Sequence, residues 1–269
     1  MALAMTEGAF VPESAWNALT HELDLWQEAG RDATFWWRDD DAGDHTDALD
    51  ALLDLRDALD IPLALAVVPA AATPELRTRL ERASGISVLQ HGYSHKNFAG
   101  PEDRKIELDG SRPAAYVIGD LATGAQALSG FAAHLPVLVP PWNRIAPHLL
   151  PYLPELGFRG LSTLGQRMKA RPLAGLVANN VHVDPVDWRG RRTGRPGAFV
   201  GADAALADII AHLAARRAGQ ADPDEATGLM THHPVMETES QAFVRDLVAA
   251  VRDHPAARWL DASEVFDIS

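Results

Sequence analysis

Two histidines four residues apart, His91 and His95 in "HGYSH", and three consecutive aspartates, Asp39, Asp40 and Asp41 in "FWWRDDDAG", are the residue types and spacings in this sequence that could do chemistry. Carboxylates that close raise one another's pKa and cost stability unless a cation or hydrogen-bond donors offset them. Two neutral imidazoles and one carboxylate can hold a divalent cation and leave positions open for water and substrate, which a catalytic site requires. The chain contains no cysteine, so a disulfide scaffold, a zinc thiolate site and a cysteine nucleophile are excluded. A cation would also account for the run of acids. One aspartate ligates it, and the next takes a proton from a bound water whose pKa falls from about 15.7 to about 7. Helix capping, the structural use of such acids, is served better by Asp44 or Thr46 and does not call for three in succession.

These residues must be carried by elements that bring them together. The 269 residues allow one large α/β domain, and 47% hydrophobic with 23% charged residues is the balance of a globular chain. Short apolar runs alternate with amphipathic stretches, the pattern of repeated βα units around a parallel sheet or barrel. Strands are expected at residues 34–38, 62–68, 86–90, 136–139, 158–161, 180–183, 228–231 and 258–260. Helices are expected from His45 and near 74–83, 202–217 and 239–252. A single domain over residues 1–269, opened by a helical extension within 1–30, is the simplest division. Polar clusters follow five of the strands: the aspartates, "HGYSH", "PPWNR", "DPVDW" and "HH". In parallel α/β folds the carboxyl ends of the strands share one rim, so these clusters converge there.

A net charge of −13 opposes attraction to nucleic acid or to an anionic membrane surface. Neither a signal-peptide pattern nor a bilayer-spanning run is present, so cytoplasmic residence is expected. "RGRRTGRPG", from Arg189 to Gly197, reads as an exposed loop or lid.

In order along the chain, "RDDDAG", "HGYSH", "VPPWN", "DPVDW" and "LMTHH" resemble the motifs of the polysaccharide deacetylases of carbohydrate esterase family four, the NodB-homology group, over roughly residues 34 to 234. The resemblance implies a distorted (β/α) barrel with about seven parallel strands that removes an acetyl group, N-linked before O-linked, from a carbohydrate. It implies a divalent metal, zinc first and Co2+, Mn2+, Ni2+ or Fe2+ as alternatives. Carried over by position, Asp41, His91 and His95 hold the metal and Asp40 is the base. His232, or its neighbour His233, protonates the leaving amine, and Asp187 orients that imidazole. Pro141, Trp142 and Trp188 line the substrate pocket.

The sequence departs from the pattern in two places. Val139 stands where the family has an arginine paired with the base, and Gly92 where a hydroxyl residue is common. Arg38, two residues before Asp40 on the same side of an extended strand, and Arg144 are the available substitutes. The missing arginine also permits a catalytically silent carbohydrate-binding relative. The two-histidine, one-carboxylate set permits a non-haem iron oxygenase, ranked lower because such enzymes usually use antiparallel barrels.

Overall fold

A computed structural model describes residues 14–268. Strands β1 (Ala33–Ala42), β2 (Leu63–Val67), β3 (Ile86–His91), β4 (His134–Val139), β5 (Gly160–Leu161) and β6 (Val177–Ala178) lie side by side in chain order. A short antiparallel ribbon of β7 (Val186–Asp187) and β8 (Ala198–Phe199) stands apart. β9 (Thr227–Thr231) pairs with β1 along Phe35 to Asp39, and β10 (Ala257–Trp259) joins the start of β1. The seven strands from β6 through β1 to β9 are all parallel and curl into a half-barrel. The segment after β6 brings the two edges together: Met230 N–H donates to the Val183 carbonyl at 2.8 Å, and His182 N–H to the Gly228 carbonyl at 2.8 Å. The distorted barrel expected from the sequence is therefore present. The expected strand at residues 180–183 is not regular, and makes only isolated bridges from Val181 and Val183.

Helices α1 (Ala15–Glu28), α2 (Asp47–Leu59), α3 (Pro74–Leu80), α4 (Ala114–Leu128), α5 (Ala202–Arg217), α6 (Thr238–Arg252) and α7 (Ala262–Phe266) complete the fold. α2 shows why such segments are helical. Leu49, Leu52, Leu53 and Leu59 recur at helical spacing and are buried, while the Thr46 hydroxyl accepts from Leu49 N–H at 3.2 Å as the N-cap. The cap is Thr46, so the three aspartates are free for other work. α1 packs Leu19, Leu23 and Trp26 into the core. It is tied to α5 by two hydrogen bonds from Arg217 to Glu22, at 2.8 and 2.9 Å. The expected extension thus contains a docked helix at Ala15–Glu28, and the thirteen residues before Ser14 lie outside the described set. Among the described residues no helix is long and apolar enough to cross a membrane.

β1 carries the largest load. Trp36 and Trp37 are buried, and each indole N–H finds a partner, the Asn180 carbonyl at 3.1 Å and the Thr231 hydroxyl at 2.8 Å. Toward its end the strand becomes irregular. Asp39 pairs with Leu65 and Ala42 with Val67, so β1 spends one more residue than β2 over the same span. This is a β-bulge, a device that bends a strand and re-aims side chains. Asp41 sits in it with φ 74°, a left-handed conformation that costs a non-glycine residue free energy.

Candidate active site

The bulge gives each aspartate of "RDDDAG" a different partner. Asp39 points to one side of β1, where it accepts from the Thr231 hydroxyl at 2.6 Å and the His233 N–H at 3.0 Å, and faces His233 Nδ1 at 2.6 Å. Strand alternation places Asp40 with Arg38 on the other side. Arg38 grips Asp40 through two bonds, Nε to Oδ1 at 2.8 Å and a terminal nitrogen to Oδ2 at 2.9 Å, and both side chains are buried. Ser162 and Asn143 accept from the same guanidinium at 2.7 Å each, which fixes its plane. Arg38 thus makes the pairing with Asp40 for which Val139 has no polar group. Arg144, the other proposed substitute, instead donates to the Lys105 carbonyl at 2.6 Å.

Asp41, turned by the bulge, faces the histidines. Its Oδ1 lies 3.2 Å from His91 Nε2 and 3.2 Å from His95 Nε2. The three ligand atoms all fall within 4.8 Å of one another. Nitrogen or oxygen ligands about 2.0–2.1 Å from a tetrahedral zinc stand roughly 3.3 Å apart, so the triangle has the dimensions of a metal site. The tautomer fits as well. His91 Nδ1 lies 3.0 Å from the Val139 carbonyl, which can only accept, so Nδ1 carries the proton and Nε2 keeps its lone pair for a cation. Burial raises the Asp41 carboxyl, but where His91 is protonated its hydrogen bond and charge, with the charges of His232 and His95, hold it well below the usual carboxylate range.

The four-residue spacing of His91 and His95 is bridged by a tight loop. Gly92 has φ 55° and His95 φ 54°. Buried Glu107 holds the loop: its carboxylate accepts from Ser94 N–H at 2.7 Å, the Ser94 hydroxyl at 2.9 Å and Tyr93 N–H at 3.2 Å. Ser94 therefore makes the local hydroxyl contact that Gly92 cannot. A Cβ at position 92 would sit 2.1 Å from Glu107 Oε2 and 2.5 Å from the Pro141 ring, which is why a glycine stands there. Pro141, expected to touch substrate, is buried under this loop and supports it instead. Trp142 and Asn143 follow with φ 54° and 57°. The Trp142 ring packs 4.4 Å from that of His95.

Opposite stand His232 and Trp188, whose rings meet edge to face at 4.7 Å. Nδ1 of His232 is buried without a hydrogen-bond partner. Asp187, expected to orient this imidazole, has another task. Its carboxylate accepts from the N–H groups of Arg191, Arg192 and Thr193 at 3.0, 2.7 and 2.8 Å, closing its own loop. Although burial raises it, these bonds bring its pKa down to about 2. Asp184, which accepts from Trp188 Nε1 at 2.7 Å, is the acid of "DPVDW" that feels the charge of His232, as Asp41 also does. Burial raises the Asp184 pKa, and the nearby His232 opposes that rise. His233, the alternative acid, is buried against Asp39. Asn143, Ser162, Glu107 and Asp184 were not singled out by the sequence reading. Asn143 and Asp184 carry a signal there, as the last residue of "VPPWN" and the first acid of "DPVDW".

No protein-family model and no curated protein matches this chain. Solved structures do match its fold. A candidate polysaccharide deacetylase from Mycobacterium smegmatis is 20% identical over 88% of this chain and 90% of its own, with a TM-score of 0.67. The Bc1960 peptidoglycan N-acetylglucosamine deacetylase is 16% identical over 91% and 98%, with a TM-score of 0.56. A family 4 acetyl xylan esterase from Clostridium thermocellum, solved with a cobalt ion, is 14% identical over 87% and 91%, with a TM-score of 0.51. The curled parallel half-barrel of this chain is the fold of the polysaccharide deacetylases and family 4 carbohydrate esterases.

Proposed function

We propose that the chain is a metal-dependent hydrolase that removes an acetyl group, N-linked by preference, from a carbohydrate. The observation that carries this reading is the triangle of Asp41 Oδ1, His91 Nε2 and His95 Nε2 beside a second carboxylate, Asp40, that the triangle does not use. The structures that share the fold include an N-acetylglucosamine deacetylase and an esterase solved with cobalt, which supports the reaction class and the need for a divalent ion. Zinc is the first choice for three nitrogen and oxygen ligands with an open position.

A cation bound there supplies a water of lowered pKa and neutralises charge developing on the carbonyl oxygen. Asp40, held in line by Arg38, accepts the proton of the attacking water. An amine cannot depart as an anion, so a proton must reach the nitrogen, and His232 across the site is placed to give it. Asp184, rather than Asp187, is the carboxylate of "DPVDW" whose charge bears on His232, and it holds Trp188, whose ring lies edge to face with that imidazole. Trp142 and Trp188 wall the space between. The argument for a silent binding relative was the missing arginine, and Arg38 removes it. The parallel sheet speaks against the iron oxygenase.

The test compares protein purified without added metal with a His91→Ala, His95→Ala double variant. Elemental analysis is paired with acetate release from an N-acetylated chito-oligosaccharide and from an acetyl ester. About one equivalent of metal in the parent, lost together with acetate release in the variant, is the expected result. Equal metal in both proteins would sink the reading.

A further inference from the structure

Three separate segments bring positive charge to the rim of this site. Arg104 and Lys105 lie in the loop after β3, Arg144 ends the turn that carries Trp142, and Arg189 follows Trp188. Two contacts join the first two segments. Arg144 donates to the Lys105 carbonyl at 2.6 Å, and the Lys105 ammonium stands 5.8 Å from the centroid of the Trp142 ring. Trp142 in turn packs on His95, and Trp188 on His232, so the basic residues flank both aromatic walls. Burial first, and then repulsion from Arg104 and Arg189, lowers the pKa of Arg144, as expected where like charges gather.

Among the described residues none of these four basic groups has a carboxylate within ion-pairing distance, Glu102 and Asp103 of the same loop included. Other arginines of the "RGRRTGRPG" loop do have one: Arg192 meets Asp208 at 3.4 Å and Arg195 meets Glu237 at 2.8 Å. In a chain with 37 acidic and 24 basic residues, positive groups gathered from three segments without carboxylate partners make a local field that favours an anion. The anion would be part of the substrate, because the cluster borders the reacting centre.

We propose that the substrate is an acetylated sugar bearing an anionic substituent, phosphate or carboxylate, which Arg104, Lys105, Arg144 and Arg189 hold at the mouth of the site. This rests on the deacetylase reading and narrows it to charged sugars. A guanidinium offers paired donors to either anion, and the ammonium adds a point charge. Trp142 beneath Lys105 gives the sugar ring a face to lie on.

Calorimetric binding separates this inference from the reaction itself. The probes are N-acetylglucosamine, its 6-phosphate, and the corresponding uronate, titrated into zinc-loaded protein at low and high salt. At least one charged sugar is expected to bind about tenfold more tightly than the neutral one, and added salt should shrink that advantage by screening. Which of the two gains more identifies the anion. Arg144→Ala, Arg189→Ala and Lys105→Ala should each weaken the charged sugar by about 2–5-fold, the size exposed charge pairs give, and leave the neutral sugar unchanged. The preference should persist in the His91→Ala, His95→Ala protein, which separates rim binding from an anion on the metal. No difference between charged and neutral sugars, including no binding of either, would overturn the inference. So would equal losses for both in the triple alanine variant. Preference for the charged sugar with no acetate released from any sugar would instead count against the deacetylase reading alone.

Discussion

Two histidine–carboxylate clusters lie in this barrel, and they use the same residue kinds to opposite ends. Asp41, His91 and His95 meet at the mouth, whereas His182, His212 and Glu225 meet inside, the two imidazoles stacked with centroids 3.4 Å apart. The difference is in the ring nitrogens. His91 Nδ1 donates to a carbonyl, which leaves Nε2 open. His182 Nδ1 accepts from Gly228 N–H at 3.0 Å, so the neutral ring carries its proton on Nε2 and points it at Glu225, 3.4 Å away. A cation at that Nε2 would require an imidazolate. Thr227, whose hydroxyl accepts from Arg216, has its hydrogen left for His212 Nδ1, and His212 Nε2 faces Glu225 at 3.8 Å. Glu225 also accepts from the N–H groups of Arg167 and Asn180. The inner cluster serves as a fastening, and the outer one is the candidate site. Proximity of three ligand-type residues does not tell them apart, but the partner of the second ring nitrogen does.

Four experiments press on that contrast. The largest effect belongs to the mouth: Asp40→Asn should lower kcat by roughly 10²–10⁴, the usual worth of a general base, while leaving metal content unchanged. Stopped assays with elemental analysis would read both, and a variant that kept its rate would remove Asp40 from the mechanism. Next, Glu225→Ala should cost about 3–5 kcal/mol of stability, since it strips the acceptor from a buried polar cluster. Urea unfolding measures the loss, and metal per folded molecule should match the parent.

Acid offers a third handle on the inner cluster. Burial depresses His182 to about 4 from an ordinary 6.5, with Glu225 only partly opposing it. The unfolded chain therefore binds a proton below 6.5 that the folded chain refuses. Stability from this group is complete above that pH and is lost, by ~3 kcal/mol in all, as pH falls toward 4. Glu225, brought down to about 2 although burial raises it, extends the loss from 4.5 downward. His182→Gln should flatten the first part of the curve, and parallel curves for parent and variant would contradict the assignment. Last, zinc at about a hundredfold its Kd should raise unfolding stability by about 2.7 kcal/mol. That increment should survive in the Glu225→Ala protein and vanish in the His91→Ala, His95→Ala protein.

Much of this was legible beforehand because it depends on patterns of apolar spacing. β2, β3, β4 and β9 are short apolar runs, and α5 fills 202–217 as its pattern requires. α4 is absent from the expected helices, and two poor helix formers, Gly119 and Gly124, lie within it. Gly124 is in fact needed, because a Cβ there would lie 2.4 Å from the Gln90 side chain. Residues 180–183 mislead in the other direction. They are apolar enough for a strand, but two successive N–H groups, from His182 and Val183, share the one Gly228 carbonyl and break the ladder.

In the site, the histidine pair and the Arg38–Asp40 pair follow from spacing and strand alternation, whereas the choice of Asp41 among the three aspartates rests on the motif resemblance. "DPVDW" offers two carboxylates, and only the fold shows that Asp187 is spent on its own loop while Asp184 holds Trp188, whose ring meets that of His232. Glu107 has no sequence signal, because its work is done on backbone N–H groups thirteen and fourteen residues away.

The extra residue in β1 has a consequence for how this protein can change. Removing any one of Asp39, Asp40 and Asp41 yields the same product, Arg-Asp-Asp-Ala-Gly, so three distinct codon losses converge on a single mutant. In it the ladder with β2 would run without interruption, and the turned carboxylate would be gone. The sheet would become more regular in the same event that removed the turned carboxylate, so the loss of one codon would cost the proposed site without costing the fold.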